Sequence, residues 1–202
     1  MIRITSYCIL RENRLLLNGK LVFERAGVSL DAFLEAAYVD LNPAYPKFYK
    51  MDRLSQLGFL ASEVLLKGRI ENYSPPSVAL VLCNAHASLD TDIRYFETTK
   101  TMASPALFVY TLPNIVSGEI CIRHGLKGEN AFFVSARFDA DLLADYVNLV
   151  LANEKTKACV AGWVDVMHNE GDVFLYLAEK INGKSMDHTA VTILDLYQAW
   201  NS

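Results

Sequence analysis

Two kinds of hydrophobic pattern alternate along this chain of 202 residues. Val78–Cys83 and Ala158–Val166 are nearly continuous apolar runs, which are typical of strands covered on both faces of a sheet. Between such runs, apolar residues recur at helical spacing, as at Leu143 and Val147. Strands that alternate with helices predict an α/β protein with three layers, in which helices lie on both faces of the sheet. The pattern contains no linker, so the whole chain is expected to form one domain.

Turn and capping signals locate the first elements. Ile2–Leu10 is rich in β-prone residues and predicts a strand. Asn18-Gly19 lies between two short apolar runs and is the strongest short signal for a β-hairpin. Ser29 and Asp52 precede helical patterns, and we expect them to cap those helices, since their side chains can accept hydrogen bonds from the free N–H groups of a first turn.

The segment from Pro113 to Gly125 predicts a helix. Proline suits a first helical turn, where its missing N–H has no partner to lose, and a glycine directly after a histidine is a usual helix end. Gly118 has small neighbours and predicts a narrow ridge against which another backbone packs. Ala131–Ala136 follows a glycine-rich turn and predicts a buried strand, whose two adjacent phenylalanines point to opposite faces of the sheet.

Several short motifs follow one another in order through this region. They are Ser104-Pro105, Leu112-Pro113-Asn114, a helix of small residues, and the run HGLKGEN from His124 to Asn130. This order resembles the N-terminal half of the β-ketoacyl synthases, and the similarity covers about residues 45 to 180. The resemblance implies a three-layer α/β/α, thiolase-like half-domain with a mixed, mostly parallel, five-stranded sheet.

In that family the strand after the glycine-rich turn leads to a nucleophilic cysteine at the start of the next helix. The matching position here is Arg137, in VSARFDADLL. A guanidinium stays protonated at neutral pH and cannot attack an acyl group as a thiolate does. Asp139 and Asp141 either pair with Arg137 or act as carboxylates at a helix N-terminus, which we favour. The family's two catalytic histidines belong to a second half that has no counterpart in this sequence, so no catalytic residue is expected here.

The resemblance also implies association. It makes the strand after the turn an edge strand, with Phe132, Phe133, Val134 and Ser135 as the expected dimer interface. The implied partner is a second copy of the chain or an active ketosynthase, with an acyl carrier protein as a further partner. The implied function is that of a non-catalytic ketosynthase-like subunit in fatty acid or polyketide-type biosynthesis. If the chain were active, the resemblance would imply an acyltransferase.

Composition excludes several other classes of protein. The net charge is -4 and no long basic run is present, so no nucleic-acid surface is expected. No apolar run approaches the roughly 20 residues of a membrane span, and the N-terminus lacks a signal-peptide pattern, so we expect a cytoplasmic protein. The four cysteines lack the spacing of metal ligands, so we expect them to be buried free thiols; they are Cys8, Cys83, Cys121 and Cys159. Neither a metal ion nor a cofactor is expected.

Two residues remain as weak candidates for chemistry. His86 follows an apolar strand, where α/β proteins often bind ligands, although a lone histidine is more often structural. Cys83 would be a nucleophile if its pKa were lowered. His168, like His86, is a lone histidine and is therefore more often structural than catalytic. His188 lies in a polar turn, where we expect it to be solvated. These candidates leave open a small acyltransferase or thioester hydrolase with a reworked pocket, and a purely structural assembly module also remains open.

Overall fold

The computed structural model describes residues 1–183 and 185–201. The strands are β1 (Ile2–Arg11), β2 (Arg14–Leu17), β3 (Lys20–Glu24), β4 (Val78–Asn84), β5 (Asn130–Val134), β6 (Ala158–Met167), β7 (Glu170–Lys180) and β8 (Met186–Asp187). The helices are α1 (Leu30–Leu41), α2 (Arg53–Leu66), α3 (Leu89–Thr99), α4 (Pro105–Phe108), α5 (Ile115–His124), α6 (Ala140–Ala152) and α7 (Ala190–Gln198).

The described strands form one sheet in the order β3-β2-β1-β7-β6-β4-β5, and β8 pairs with β1. β4 runs parallel to β5 and β6, whereas β7 runs antiparallel to both β6 and β1. The core β5-β4-β6-β7-β1 is therefore the mixed, mostly parallel set of five strands that was expected. The whole sheet is larger than that prediction, because the hairpin of β2 and β3, together with β8, extends it past β1.

Helices cover both faces of this sheet. On one face α1, α2 and α5 bury side chains such as Phe33, Leu57 and Val116 against the strands. On the other face α6 and α7 bury Leu143 and Ile193. Each of these five side chains has no exposed surface. The predicted three-layer α/β/α arrangement is confirmed.

The hairpin turn and the two helix caps predicted near the N-terminus are confirmed. Asn18 and Gly19 have φ values of 51° and 75°, the left-handed backbone that the tight turn between β2 and β3 requires. Ser29 caps α1 and Asp52 caps α2, each through a side-chain oxygen that accepts a backbone N–H of the first turn.

Helix α5 differs from its prediction in the residue at which it begins and in the place where another helix packs closely against it. It begins two residues after Pro113, and Gly125 ends it with a φ of 68°. The ridge expected at Gly118 is wrong within this chain, because a Cβ placed there would have no atom within 4 Å. The close approach of α2 and α5 lies instead at Gly58, where a Cβ would come within 2.5 Å of Val116 Cγ2.

Strand β5 is the last strand of the sheet and pairs, among the described residues, with β4 alone. The prediction of a buried strand over Ala131–Ala136 is therefore wrong on two points, the residue at which the strand ends and its burial. The strand stops at Val134, a residue that is 57% exposed, while Phe132 and Phe133 are half-buried. An edge strand has a neighbour on one side only, so its side chains keep partial contact with solvent.

Candidate functional site

Arg137, the residue that the sequence resemblance assigned to the nucleophile position, lies in the loop that joins β5 to α6. The loop leaves the sheet at Ser135, whose N–H donates a 2.9 Å hydrogen bond to the carbonyl oxygen of Asn84. At its other end Asp139 caps α6, since Oδ1 accepts the N–H of Leu142 at 2.9 Å. The Arg137 side chain is exposed. The preferred role for Asp139, a carboxylate at a helix N-terminus, is confirmed.

Aromatic rings fill the space beside this loop. The ring of Phe138 stacks on that of Tyr197 from α7, with 3.7 Å between centroids and 1° between planes. Phe138 also meets Phe174 and Trp163 edge-on, at 5.8 Å and 6.0 Å. The residue next to Arg137 is thereby packed against the sheet and the C-terminal helix.

His86 and Asp165 form a hydrogen-bonded pair at the C-terminal ends of two neighbouring parallel strands. His86 follows β4 and Asp165 lies near the end of β6, so the pairing of these strands brings them together. Nδ1 of His86 lies 2.7 Å from Oδ2 of Asp165. The other carboxylate oxygen, Oδ1, accepts the backbone N–H groups of Ala85 and His86 at 3.3 Å and 3.1 Å.

This arrangement orients the imidazole. A carboxylate beside Nδ1 favours the tautomer with its proton on that nitrogen, which leaves Nε2 as the acceptor. The side chain of His86 is 41% exposed and that of Asp165 is 12% exposed. The carboxylate is thus fixed in the protein while the imidazole meets solvent.

The pair lines an open cleft of about 670 Å³ at the end of the sheet. Small-molecule sites commonly have volumes of about 300–1,000 Å³. Polar residues from β1, the turn after it, β7 and α7 complete the wall; they include Arg11, Glu12, Asn13, Glu170, Asp172 and Tyr197. None of the described residues that line the cleft is a serine, threonine or cysteine. The described cleft lining therefore offers an imidazole but no serine, threonine or cysteine nucleophile.

Arg11 is held in the cleft wall by Asp172 and Tyr197. Its Nε donates to Asp172, and Nη1 donates to the carbonyl oxygen of Tyr197 at 2.8 Å. Its guanidinium lies 4.1 Å from the centre of the Tyr197 ring, and the Tyr197 hydroxyl donates to Asp172 at 2.6 Å. Burial raises the pKa of Tyr197, and the hydrogen bond to Asp172 adds to that rise. Nη2 of Arg11 is buried and has no partner among the described atoms.

Cys83 is poorly suited to nucleophilic chemistry. The residue is fully buried in β4, and its Sγ lies 3.4 Å from the carbonyl oxygen of Gly162. Burial raises its pKa to about 12, and the charges of Asp139 and Asp165 add to this effect. A thiol reacts as its thiolate, and a nucleophilic cysteine needs a lowered pKa. The raised pKa of Cys83 therefore makes it a poor nucleophile.

The other histidines of the loops differ in their surroundings. His188 was expected to be solvated, and that prediction is wrong, since the residue is 7% exposed. Its Nδ1 lies 3.0 Å from Oδ1 of Asn148, and Nε2 lies 3.2 Å from the Tyr176 hydroxyl. Burial lowers the pKa of His188 to about 4. His168 is exposed in the turn between β6 and β7, and no contact places it in the cleft.

The residues expected at a dimer interface lie along the free edge of β5. Phe133 packs inward, with its ring edge-on to Tyr146 of α6 at 4.8 Å. Phe132 points to the opposite face, against the core that α2 and α5 cover, as the alternation of a strand requires. Val134 ends the strand, and Ser135 begins the loop that contains Arg137.

The backbone of β5 bonds inward at every second residue. The Glu129 carbonyl oxygen accepts the Leu80 N–H at 2.8 Å, and the Ser135 N–H donates to β4 at 2.9 Å. In a parallel ladder the residues between such positions face the other way. The N–H groups of Phe132 and Val134 therefore point to the free edge.

Two classes of site are absent from the part of the chain that the structure describes. In residues 1–183 and 185–201, no group of three or more His, Cys, Asp or Glu side chains is placed to hold a metal ion. Within the same residues, no helix is long and apolar enough to cross a membrane.

Sequence reasoning found His86 but missed its partners in the cleft. Asp165 is a single acidic residue in the apolar run ACVAGWVDV, and that is a usable signal, since a buried charge is normally paired. Arg11 and Tyr197 are separated by almost the whole chain, and no local pattern links them. Only the pairing of β1 with β7 and the packing of α7 bring these two residues together.

Comparison with known proteins gave matches of structure alone. Neither the protein-family models nor the curated proteins contain a match to this chain. The ishigamide ketosynthase/chain length factor aligns with a TM-score of 0.63 and 15% identity over 89% of this chain and 62% of the matched chain. A type II polyketide ketosynthase in complex with its acyl carrier protein, AntDE:AntF, aligns with a TM-score of 0.59 and 13% identity over the same shares.

In a third similar structure, the alignment covers almost the whole of both chains. It is a ketosynthase in complex with its chain length factor from Xenorhabdus doucetiae, with a TM-score of 0.58 and 14% identity over 97% of this chain and 90% of the other. In the two structures above, by contrast, this chain spans less than two thirds of the matched chain. The likeness lies in the fold: the chain has the thiolase-like α/β/α fold of the ketosynthases.

Proposed function

We propose that this protein is a ketosynthase-like subunit that does not itself catalyse condensation and that acts in carrier-protein-dependent fatty acid or polyketide-type biosynthesis. The proposal rests on Arg137, the residue that the resemblance assigns to the nucleophile position, together with the ketosynthase fold of the chain. Condensation needs a thiolate to receive the acyl chain, and a guanidinium cannot replace it. The packing of Phe138 against Tyr197 supports this, because aromatic rings fill the space beside the loop.

The proposed partner is an active ketosynthase or a second copy of this chain. Two of the similar structures are complexes, one of a ketosynthase with its chain length factor and one of a ketosynthase with its acyl carrier protein. The free edge of β5 supports an association, since unpaired N–H and C=O groups invite another strand. Antiparallel pairing across a two-fold axis would give partners to the N–H groups of Phe132 and Val134. Such an interface should bury more than about 1,000 Å² in total.

Reconstitution tests the proposal. The purified protein would be mixed with the ketosynthases and acyl carrier proteins of its source organism, and complexes would be sought by size exclusion with light scattering. Alone, the protein should take up no acyl group from carrier thioesters by intact mass and should condense no malonyl unit. With its partner it should form a stable complex and change the rate or the chain length of the product.

Two results would reject the proposal. A covalent acyl adduct on the isolated chain would show that it keeps a nucleophile. A complex whose products match those of the ketosynthase alone would indicate the purely structural assembly module instead. The form of the acyltransferase alternative that uses Cys83 as the nucleophile has little support, because Cys83 is buried and its pKa is raised.

A further inference from the structure

The cleft at the end of the sheet contains two groups that the proposed function does not use. His86 is oriented by Asp165 and keeps Nε2 free on a half-exposed side chain. Arg11 keeps Nη2 without a partner among the described atoms of the same wall. A base with a fixed orientation and a fixed positive charge, placed in one cleft of about 670 Å³, form a site for an acid–base reaction on a polar group.

We propose that this cleft hydrolyses activated acyl groups, either esters or thioesters, with His86 as the general base and water as the nucleophile. Water is the proposed nucleophile, since none of the described lining residues is a serine, threonine or cysteine and Asp165 and Asp172 are already hydrogen-bonded. The proposal goes beyond condensation and is independent of the subunit role, since it uses neither the Arg137 loop nor the edge of β5.

The reaction balances with water alone. Nε2 of His86 takes a proton from water as the water oxygen attacks the acyl carbon, which forms a C–O bond and an oxyanion. The positive charge of Arg11, fixed in the same wall by Asp172, stabilises that oxyanion as charge develops on it. The intermediate collapses with cleavage of the C–S or C–O bond, and the imidazolium returns its proton to the leaving thiolate or alkoxide. The products are a carboxylic acid and a thiol or alcohol.

The charges around the cleft select a neutral acyl group over an anionic ligand. Glu12 and Glu170 are exposed at its edge, and Asp172 is paired with Arg11 in its wall. These carboxylates outnumber the cations, so they oppose the approach of phosphates or free carboxylates. A thioester or ester carbonyl carries no net charge, so these carboxylates do not repel it.

Asp165 acts as a positioning residue for His86. Two backbone N–H groups hold its Oδ1, so that Oδ2 stays directed at Nδ1. The carboxylate keeps the proton on Nδ1 and stabilises the imidazolium that forms during the reaction. Loss of its charge should therefore slow proton transfer and leave substrate binding unchanged.

The test follows hydrolysis of p-nitrophenyl acetate as the ester and of the acetyl thioester of N-acetylcysteamine, with the released phenolate or thiol as the signal. The full chain should show saturable hydrolysis of at least one of them. His86→Ala should lower kcat by about 100-fold or more with KM nearly unchanged, and added imidazole should restore part of the rate. Asp165→Asn should lower kcat by about tenfold or more at constant KM.

Matched variants separate chemistry from folding. His86→Gln keeps an amide that can donate to Asp165, and it should lose activity as His86→Ala does while keeping the wild-type thermal midpoint. His168→Asn removes an exposed imidazole outside the cleft and should keep full activity. The inference is overturned if the wild type is no faster than free imidazole on both substrates, or if either His86 variant keeps the wild-type rate. Hydrolysis of one substrate only identifies the acyl class that the cleft accepts.

Discussion

The rings of Phe138 and Tyr197 lie parallel, 3.7 Å apart, although one residue precedes α6 and the other belongs to the C-terminal helix. Tyr197 also contacts Arg11 and Asp172 in the neighbouring cleft. One aromatic pair therefore joins the Arg137 loop to the wall of the His86–Asp165 cleft. The position beside Arg137 is closed by core packing, and the open space lies at the ends of β4 and β6.

Removal of this ring contact should destabilise the fold. Phe138→Ala deletes a side chain that meets Trp163, Phe174 and Tyr197, so the free energy of unfolding should fall by about 2–4 kcal/mol in a urea titration. Phe96→Ala is the control, since Phe96 is 64% exposed and its loss should change stability by less than about 0.5 kcal/mol. Equal effects of the two variants would contradict the packing role of Phe138.

Two glycines on facing helices should respond in opposite directions. Gly58→Ala forces a Cβ against Val116 and Ile120 and should lower the free energy of unfolding by about 1–3 kcal/mol. Gly118→Ala meets no atom and should raise it by up to about 1 kcal/mol through helix propensity. Thermal unfolding of the isolated chain measures both. A destabilised Gly118→Ala would show that another chain already covers α5.

Proline at the free edge of β5 should affect association and spare the fold. Val134→Pro removes an N–H that points away from β4, so the ladder within the chain stays intact while an added strand loses a donor. Light scattering should show loss of the dimer or of the ketosynthase complex. Phe133→Pro is the contrast, because it removes an inward N–H and should lower the thermal midpoint. A Val134→Pro variant that associates like the wild type would place the interface elsewhere.

The native thiols should react slowly. Burial raises the pKa of Cys83 to about 12 and also raises those of Cys8 and Cys159, so these three should resist a thiol reagent until the chain unfolds. Cys121 is half-buried and should be the first to react. Arg137→Cys places a thiol on the exposed loop and should add one fast equivalent in the same assay. Fast reaction of Cys83 with the reagent in the folded protein would instead support its role as a nucleophile.

Stability should fall as the pH falls below about 6.5, the ordinary histidine pKa. Burial lowers the pKa values of His124 and His188 to about 4 in the folded protein. Between pH 6.5 and 4 the unfolded chain binds protons that the folded chain does not, so acidification favours unfolding. Urea titrations at pH 7.5 and pH 5 measure this loss. His188→Gln should make it smaller, because one of the two buried imidazoles is then absent.

Much of the fold could be predicted from residues that are close in sequence. The hairpin at Asn18-Gly19 and the caps at Ser29 and Asp52 formed as expected, because backbone preference and capping hydrogen bonds act over a few residues. The apolar run of β4 predicted a strand covered on both faces, and each of its residues is buried. The order of motifs placed Arg137 in the loop between a strand and a helix, where the structure has it.

The tertiary structure decided the features that depend on distant residues. Asp165 meets His86 because β4 and β6 pair in parallel, and His188 is buried because α6 and β7 pack around it. The close helix contact fell at Gly58 rather than Gly118 for the same reason. Hydrogen bonds within a turn or cap join neighbours and can be read along the chain. Burial, edge position and side-chain pairing are set by which elements meet in space, and no local pattern contains that information.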